Sequence, residues 1–185
     1  GEHLTAFDLQ EDRTFHAERL EKRLDRIRDG QYVSAHLPAW PQVVSAVEGH
    51  GYRSVFIVRD PRDTVVSDVF YILGFKRHPL HERFRKMPTM DERLMAAIGG
   101  LSDERRGVPL MESMAARIEA YSGWLSAPST KVVRFEDLVG GRGGGNDAAQ
   151  RAEIRAIAEH VGRSLTGEEL QSVATRVWSP RSSTF

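Results

Sequence analysis

There is no cysteine in this chain of 185 residues. That absence excludes disulfides and thiolate metal sites together, and it suits a reducing compartment. Nor is there a surplus of charge of either sign, since Lys+Arg and Asp+Glu stand at 26 each. A balanced chain lacks the broad basic field that nucleic acid or an anionic membrane selects, although a compact anion needs only a few local cations. No apolar run approaches the roughly 20 residues of a membrane span. The opening GEHLTAFDLQ is polar rather than secretory. The only low-complexity stretch, the GGRGGG of 140–145, lacks a following GK[ST] and so reads as a flexible surface turn rather than a phosphate loop. Together these absences predict one soluble, cytoplasmic domain over 1–185, with no nucleic-acid partner and no membrane span.

What is present alternates between helical and strand-like patterns. Phe15, Leu20, Leu24 and Ile27 mark a helix from Leu9 to Arg28, stopped by Gly30. A strand over Tyr32–His36 is broken by Pro38, and Pro41 opens a short helix through Val47. Ser54–Val58 reads SVFIV, the continuous apolar run of a strand buried on both faces. Asp60-Pro61 then supplies an N-cap and a first-turn proline for a helix carrying Val65, Val66, Val69, Phe70, Ile72 and Leu73. A basic stretch follows from Lys76 to Met87. Met111, Met114, Ile118, Tyr121 and Leu125 predict another helix, Lys131–Phe135 a third strand, and Ala148–Val161 and Gly167–Val177 two closing helices. Short apolar strands alternating with helices predict an α/β fold with a parallel β-sheet flanked by helices.

The segment FIVRDPRDTVVSDVFY carries the most chemistry. Arg59 emerges at the carboxyl end of a strand, where open α/β sheets place ligands. The next residues begin a helix, whose free N–H groups favour an anion. Ser67, in the second turn, can aim its hydroxyl back toward that end, because Cβ atoms tilt toward a helix N-terminus. An arginine fork and a hydroxyl could thus grip one phosphate from two sides. The same residues also allow a reading without a ligand, in which Asp60 and Asp63 serve as cap and first-turn acid and Arg59 pairs with Asp63. His36 is one of seven histidines and lies at a strand end just before Leu37-Pro38; an imidazole with a pKa near 6.5 can accept a proton at neutral pH. His78 and His81 have a ligand-like spacing, but Pro79 and the neighbouring Arg and Lys residues favour a surface loop over a metal site.

IVRDPRDTVVS resembles the 3′-phosphate-binding segment of cytosolic-type sulfotransferases, which take their donor as PAPS, 3′-phosphoadenylyl sulfate. AHLP upstream of it and KVVRFEDLVG and AEHVGRSLTGEELQSV downstream are similar to the same family, over roughly 31–75 and 108–185. The resemblance implies an incomplete three-layer sandwich of the P-loop nucleotide-binding type. It implies Arg59 and Ser67 on the donor's 3′-phosphate, His36 as general base, and Phe135 against the adenine in place of the family's usual Tyr. Ser183, Thr184 and Phe185 would flank the nucleotide. It further implies a small-molecule hydroxyl acceptor, 3′,5′-adenosine bisphosphate as product, and no metal. Ser34 stands where the family often has Lys, and neither the Lys-Ser-Gly-Thr-like donor loop nor the Arg-Lys-Gly segment has a match in the chain. The chain by itself is therefore expected to bind the donor weakly and turn over little. Two other classes fit some of the residues. One is a nucleotide-dependent phosphotransferase with Asp60 and Asp63 on a metal; the other is a non-catalytic nucleotide-binding module with a decayed site.

Overall fold

In a computed structural model, the structure describes residues 2–5, 10–11, 14–103 and 107–177. The chain is an α/β protein with a parallel sheet flanked by helices. Its residues fall into two compact units, 1–56 with 119–132, and 57–118 with 133–185. Strand β1 (Glu2–Thr5) runs parallel to β4 (Val33–His36), with Thr5 opposite His36. The short strands β2 (Gln10–Glu11) and β3 (Thr14–Phe15) form an antiparallel pair. Strand β5 (Ser54–Val58) pairs with β8 (Thr130–Arg134).

In the first unit, α1 (Ala17–Leu24) and α2 (Pro41–Gly49) pack around Leu20, Leu24, Leu37, Val43, Ala46, Val47 and Trp124. Each such aliphatic side chain removed from water is worth about 1.5–3 kcal/mol. The predicted helix from Leu9 is much shorter. Phe15 precedes Leu20 by five positions, roughly 140° around a helix from it, so it falls off the Leu20–Leu24 stripe and joins β3 instead. The segment after β4 is pinned by two hydrogen bonds. Trp124 Nε1 donates to the Leu37 carbonyl at 2.9 Å, and the Ala39 N–H donates to the Ala120 carbonyl at 2.7 Å.

In the second unit, α3 (Pro61–Gly74), α4 (His81–Arg85) and α5 (Met90–Gly99) bury Val65, Val69, Ile72, Phe84 and Ala97 together. The surface loop expected around His78 and His81 is instead drawn inward by Leu80 and Phe84. His81 is buried in α4, and its Nδ1–H donates to the Ile72 carbonyl at 3.0 Å. Met111 does not join the helix predicted for it. It ends β7 (Val108–Met111), which is antiparallel to β6 (Leu101–Asp103), and α6 starts at Met114 (Met114–Ser122).

Two further expectations are corrected. β5 is not buried on both faces: Val55 is 37% and Ile57 52% exposed, because one face of this strand is left without a covering layer of described residues. Phe135 is not the last residue of β8 but the first of α7 (Phe135–Leu138). Glu136 and Asp137 follow it in the first turn, where acidic side chains suit the helix dipole.

The glycine-rich stretch leads into α8 (Asp147–His160), which packs with α9 (Gly167–Val177) through Ile154, Leu170 and Ala174. It is a tied turn rather than a loose linker, with the Gly141 N–H donating to Asp147 Oδ1 at 2.6 Å. At Gly140, φ is +63° and a Cβ would stand 2.6 Å from Gln150 Oε1, so a side chain is excluded twice over.

Candidate functional site

The turn between β5 and α3 is built by its own sequence. Val58 ends the apolar run, Asp60 takes a non-helical ψ of 124°, and Pro61 sets the first helical residue. Asp60 Oδ1 accepts from the Arg62 N–H at 2.9 Å, closing one of the helix's open donors. The same carboxylate receives the Arg62 guanidinium, Nε at 3.0 Å and Nη2 at 2.6 Å. That guanidinium first, and then the Arg62 N–H, bring the Asp60 carboxyl down to about 2. Its charge is therefore already matched by Arg62, which lessens its repulsion toward an incoming anion.

Arg59 does not pair with Asp63. Its guanidinium lies over the Phe135 ring, with Cζ 4.5 Å from the ring centroid. Its Nε is buried and has no hydrogen-bond partner among the described residues. A buried donor without an acceptor costs about 1–3 kcal/mol, and an anion arriving there would supply the missing partner. The residue following the ring also holds this turn, since Glu136 Oε1 accepts from the Asp60 N–H at 2.8 Å. Burial works against the charge on Glu136. The Asp60 N–H, with Arg134 and Arg59 nearby, outweighs it and keeps the carboxyl below its usual range.

Ser67 sits half-buried on α3, in the helix that Asp60 caps. Its neighbour Asp68 accepts from Arg117 Nη2 at 2.7 Å, tying α3 to α6. The structure thus brings Arg59 and Phe135 into contact, with Ser67 on α3, which begins two residues after Arg59. His36 belongs to the other compact unit. There it is the exposed last residue of β4, followed by the buried Leu37 and Pro38 that Trp124 holds through the Leu37 carbonyl. Ser183, Thr184 and Phe185 lie outside the described residues. Among the described residues, no group of three or more His, Cys, Asp or Glu is gathered for a metal ion.

Glu136 and Arg117 are supporting residues that sequence reasoning missed. The acidic pair opening α7 was a usable signal for Glu136, because a carboxylate directly after a strand end can reach the neighbouring turn. Nothing local marks Arg117, whose partner is far away in sequence.

The fold places this chain in the class of α/β proteins with a parallel sheet flanked by helices. Among solved structures it is similar to mouse sulfotransferase SULT7A1 complexed with PAP, with a TM-score of 0.60 and 14% identity. That match covers 96% of this chain and 63% of the mouse enzyme, so the chain spans less than two thirds of that protein's length. No protein-family model and no curated protein sequence matches the chain. At 14% identity, the likeness establishes a shared fold.

Proposed function

We propose that this chain carries the nucleotide 3′-phosphate site and the general base of a PAPS-dependent sulfotransferase. The observation that carries the reading is Arg59: a guanidinium at the carboxyl end of β5, beside a helix start, with a buried Nε that has no acceptor among the described residues. That is the chemistry a phosphate dianion satisfies. The fold shared with an enzyme solved with PAP supports it. The Arg59 turn and the Ser67 hydroxyl suit the 3′-phosphate, and Phe135 is an apolar surface beside Arg59.

The donor would supply the sulfuryl group and a phosphate leaving group. His36 would take the proton from an acceptor hydroxyl as its oxygen bonds to sulfur, while the S–O bond to phosphate breaks and its electrons pass to the phosphate oxygen. An exposed imidazole at a strand end is accessible to such an acceptor. On this reading the step uses no metal.

Calorimetry tests the donor site. The chain is expected to bind 3′,5′-adenosine bisphosphate without Mg²⁺, and to prefer it over ATP with Mg²⁺ by at least about tenfold. The reverse preference would transfer the reading to a phosphotransferase. In the whole enzyme, His36→Ala should lower turnover by roughly 10²–10⁴ while nucleotide affinity stays within twofold.

A further inference from the structure

Two adjacent residues hold the Arg59 turn from one side. The Phe135 ring lies under the guanidinium, 4.5 Å from Cζ. The Glu136 carboxylate accepts the very next N–H of the chain, that of Asp60, at 2.8 Å. One short helix start, α7, therefore grips both the head of Arg59 and the peptide that follows it.

We propose that Phe135 and Glu136 are positioning residues that hold Arg59 ready for the 3′-phosphate, so that Phe135 acts on the nucleotide through the arginine rather than by touching the adenine. This rests on the donor reading given above. Stacking engages the face of a guanidinium with the π cloud and leaves its N–H groups pointing outward in the plane. Those in-plane donors are what a phosphate binds in pairs. The buried Arg59 Nε has no hydrogen-bond partner among the described residues, so the contact with the ring leaves it uncommitted. Glu136 fixes the backbone at the same place. Its ionised state, held by the Asp60 N–H and two nearby arginines against burial, keeps it an acceptor across the neutral range.

The experiment compares two nucleotides that share adenine and differ in the 3′-phosphate. The 185-residue chain and its variants are titrated by NMR with 3′,5′-adenosine bisphosphate and with 5′-AMP. Phe135→Leu is expected to weaken the bisphosphate about tenfold and to leave 5′-AMP within twofold, with Phe135→Tyr restoring both. Equal losses for the two nucleotides would return Phe135 to the adenine and overturn the inference. Glu136→Gln, whose amide oxygen still accepts, should bind like the parent, and Glu136→Ala should lose bisphosphate selectively; parent-like binding by the alanine variant would remove Glu136 from the role.

A readout free of nucleotide protects against a variant that fails to fold. The Arg59 Nε–H proton should resonate upfield in the parent and in Phe135→Tyr, shifted by the ring beneath it, and return to the ordinary arginine position in Phe135→Leu. An unshifted parent resonance would end the proposal. Arg59→Ala separates the two levels of the reading. If it leaves the preference for bisphosphate over 5′-AMP intact, the donor site itself is wrong; if it abolishes that preference while the Phe135 and Glu136 variants do not, only the positioning role fails.

Discussion

At Arg59 three demands meet in one side chain: it must leave the sheet, avoid its acidic neighbours, and keep its donors open. The neighbours are managed by Arg62, which occupies Asp60 through two side-chain hydrogen bonds. That arrangement has a pH signature. A carboxyl lowered from 3.8 to about 2 by Arg62 adds stability that is fully present above the unfolded value and is lost as pH falls through the folded one. Urea unfolding should therefore show an acid-sensitive contribution between about pH 4 and 2 that Asp60→Asn removes, while the amide still caps the helix. The cap and the strand-end arginine were legible in the sequence, because Asp-Pro before an apolar periodic run has few other uses. The partner of Arg59 was not. Proximity to Asp63 suggested a local ion pair, whereas the face of a distant ring is a contact that only tertiary structure creates.

Elements were legible in proportion to how many independent signals marked them. The helix after Asp60 carries a cap, a proline and a 3.6-residue apolar period, and α3 spans Pro61–Gly74 as these require. The helix from Leu9 rested on periodicity alone and was overextended. β6 and β7 carry too few residues for any period to show, so Met111 was assigned to the helix beyond it. The α1–α2 pair also contains a titratable link that no periodicity reveals. His50 Nδ1 lies 2.8 Å from the Ala46 carbonyl, and Nε2 lies 3.1 Å from Asp25 Oδ1 and 3.4 Å from Glu21 Oε2. Every partner is an acceptor, so the charged imidazolium fits best. The Ala46 carbonyl first, then Asp25, raise its pKa above 6.5. The link is then fully formed below about pH 6.5 and is lost as pH rises through the raised value. An NMR titration should find His50 titrating above the ordinary imidazole value of about 6.5, and His50→Gln should flatten the stability slope of this unit between about pH 6 and 8.

For the molecule as a whole, the parallel α/β architecture was legible from alternation, and the solved sulfotransferase of 14% identity shares it. If the donor reading holds, nucleotide binding is coupled to folding. At about 100 times its dissociation constant, 3′,5′-adenosine bisphosphate should add about 2.7 kcal/mol and raise the melting temperature by roughly 5–10 °C, measured by differential scanning calorimetry. ATP at the same concentration should give a smaller rise. The side of β5 that no described residue covers was the feature least foreseen, since an unbroken SVFIV run looks the same whether one or both faces are covered. Val55 and Ile57 present a ribbon of aliphatic surface on a polypeptide whose formal charge is zero near pH 7. Without like-charge repulsion to keep molecules apart, concentrated solutions should cloud first near neutrality and clear as the pH moves away or as a lysine replaces Ile57, a trend light scattering would record. Purification would then favour dilute, mildly alkaline buffers free of sulfate, a salt that drives bare hydrocarbon together.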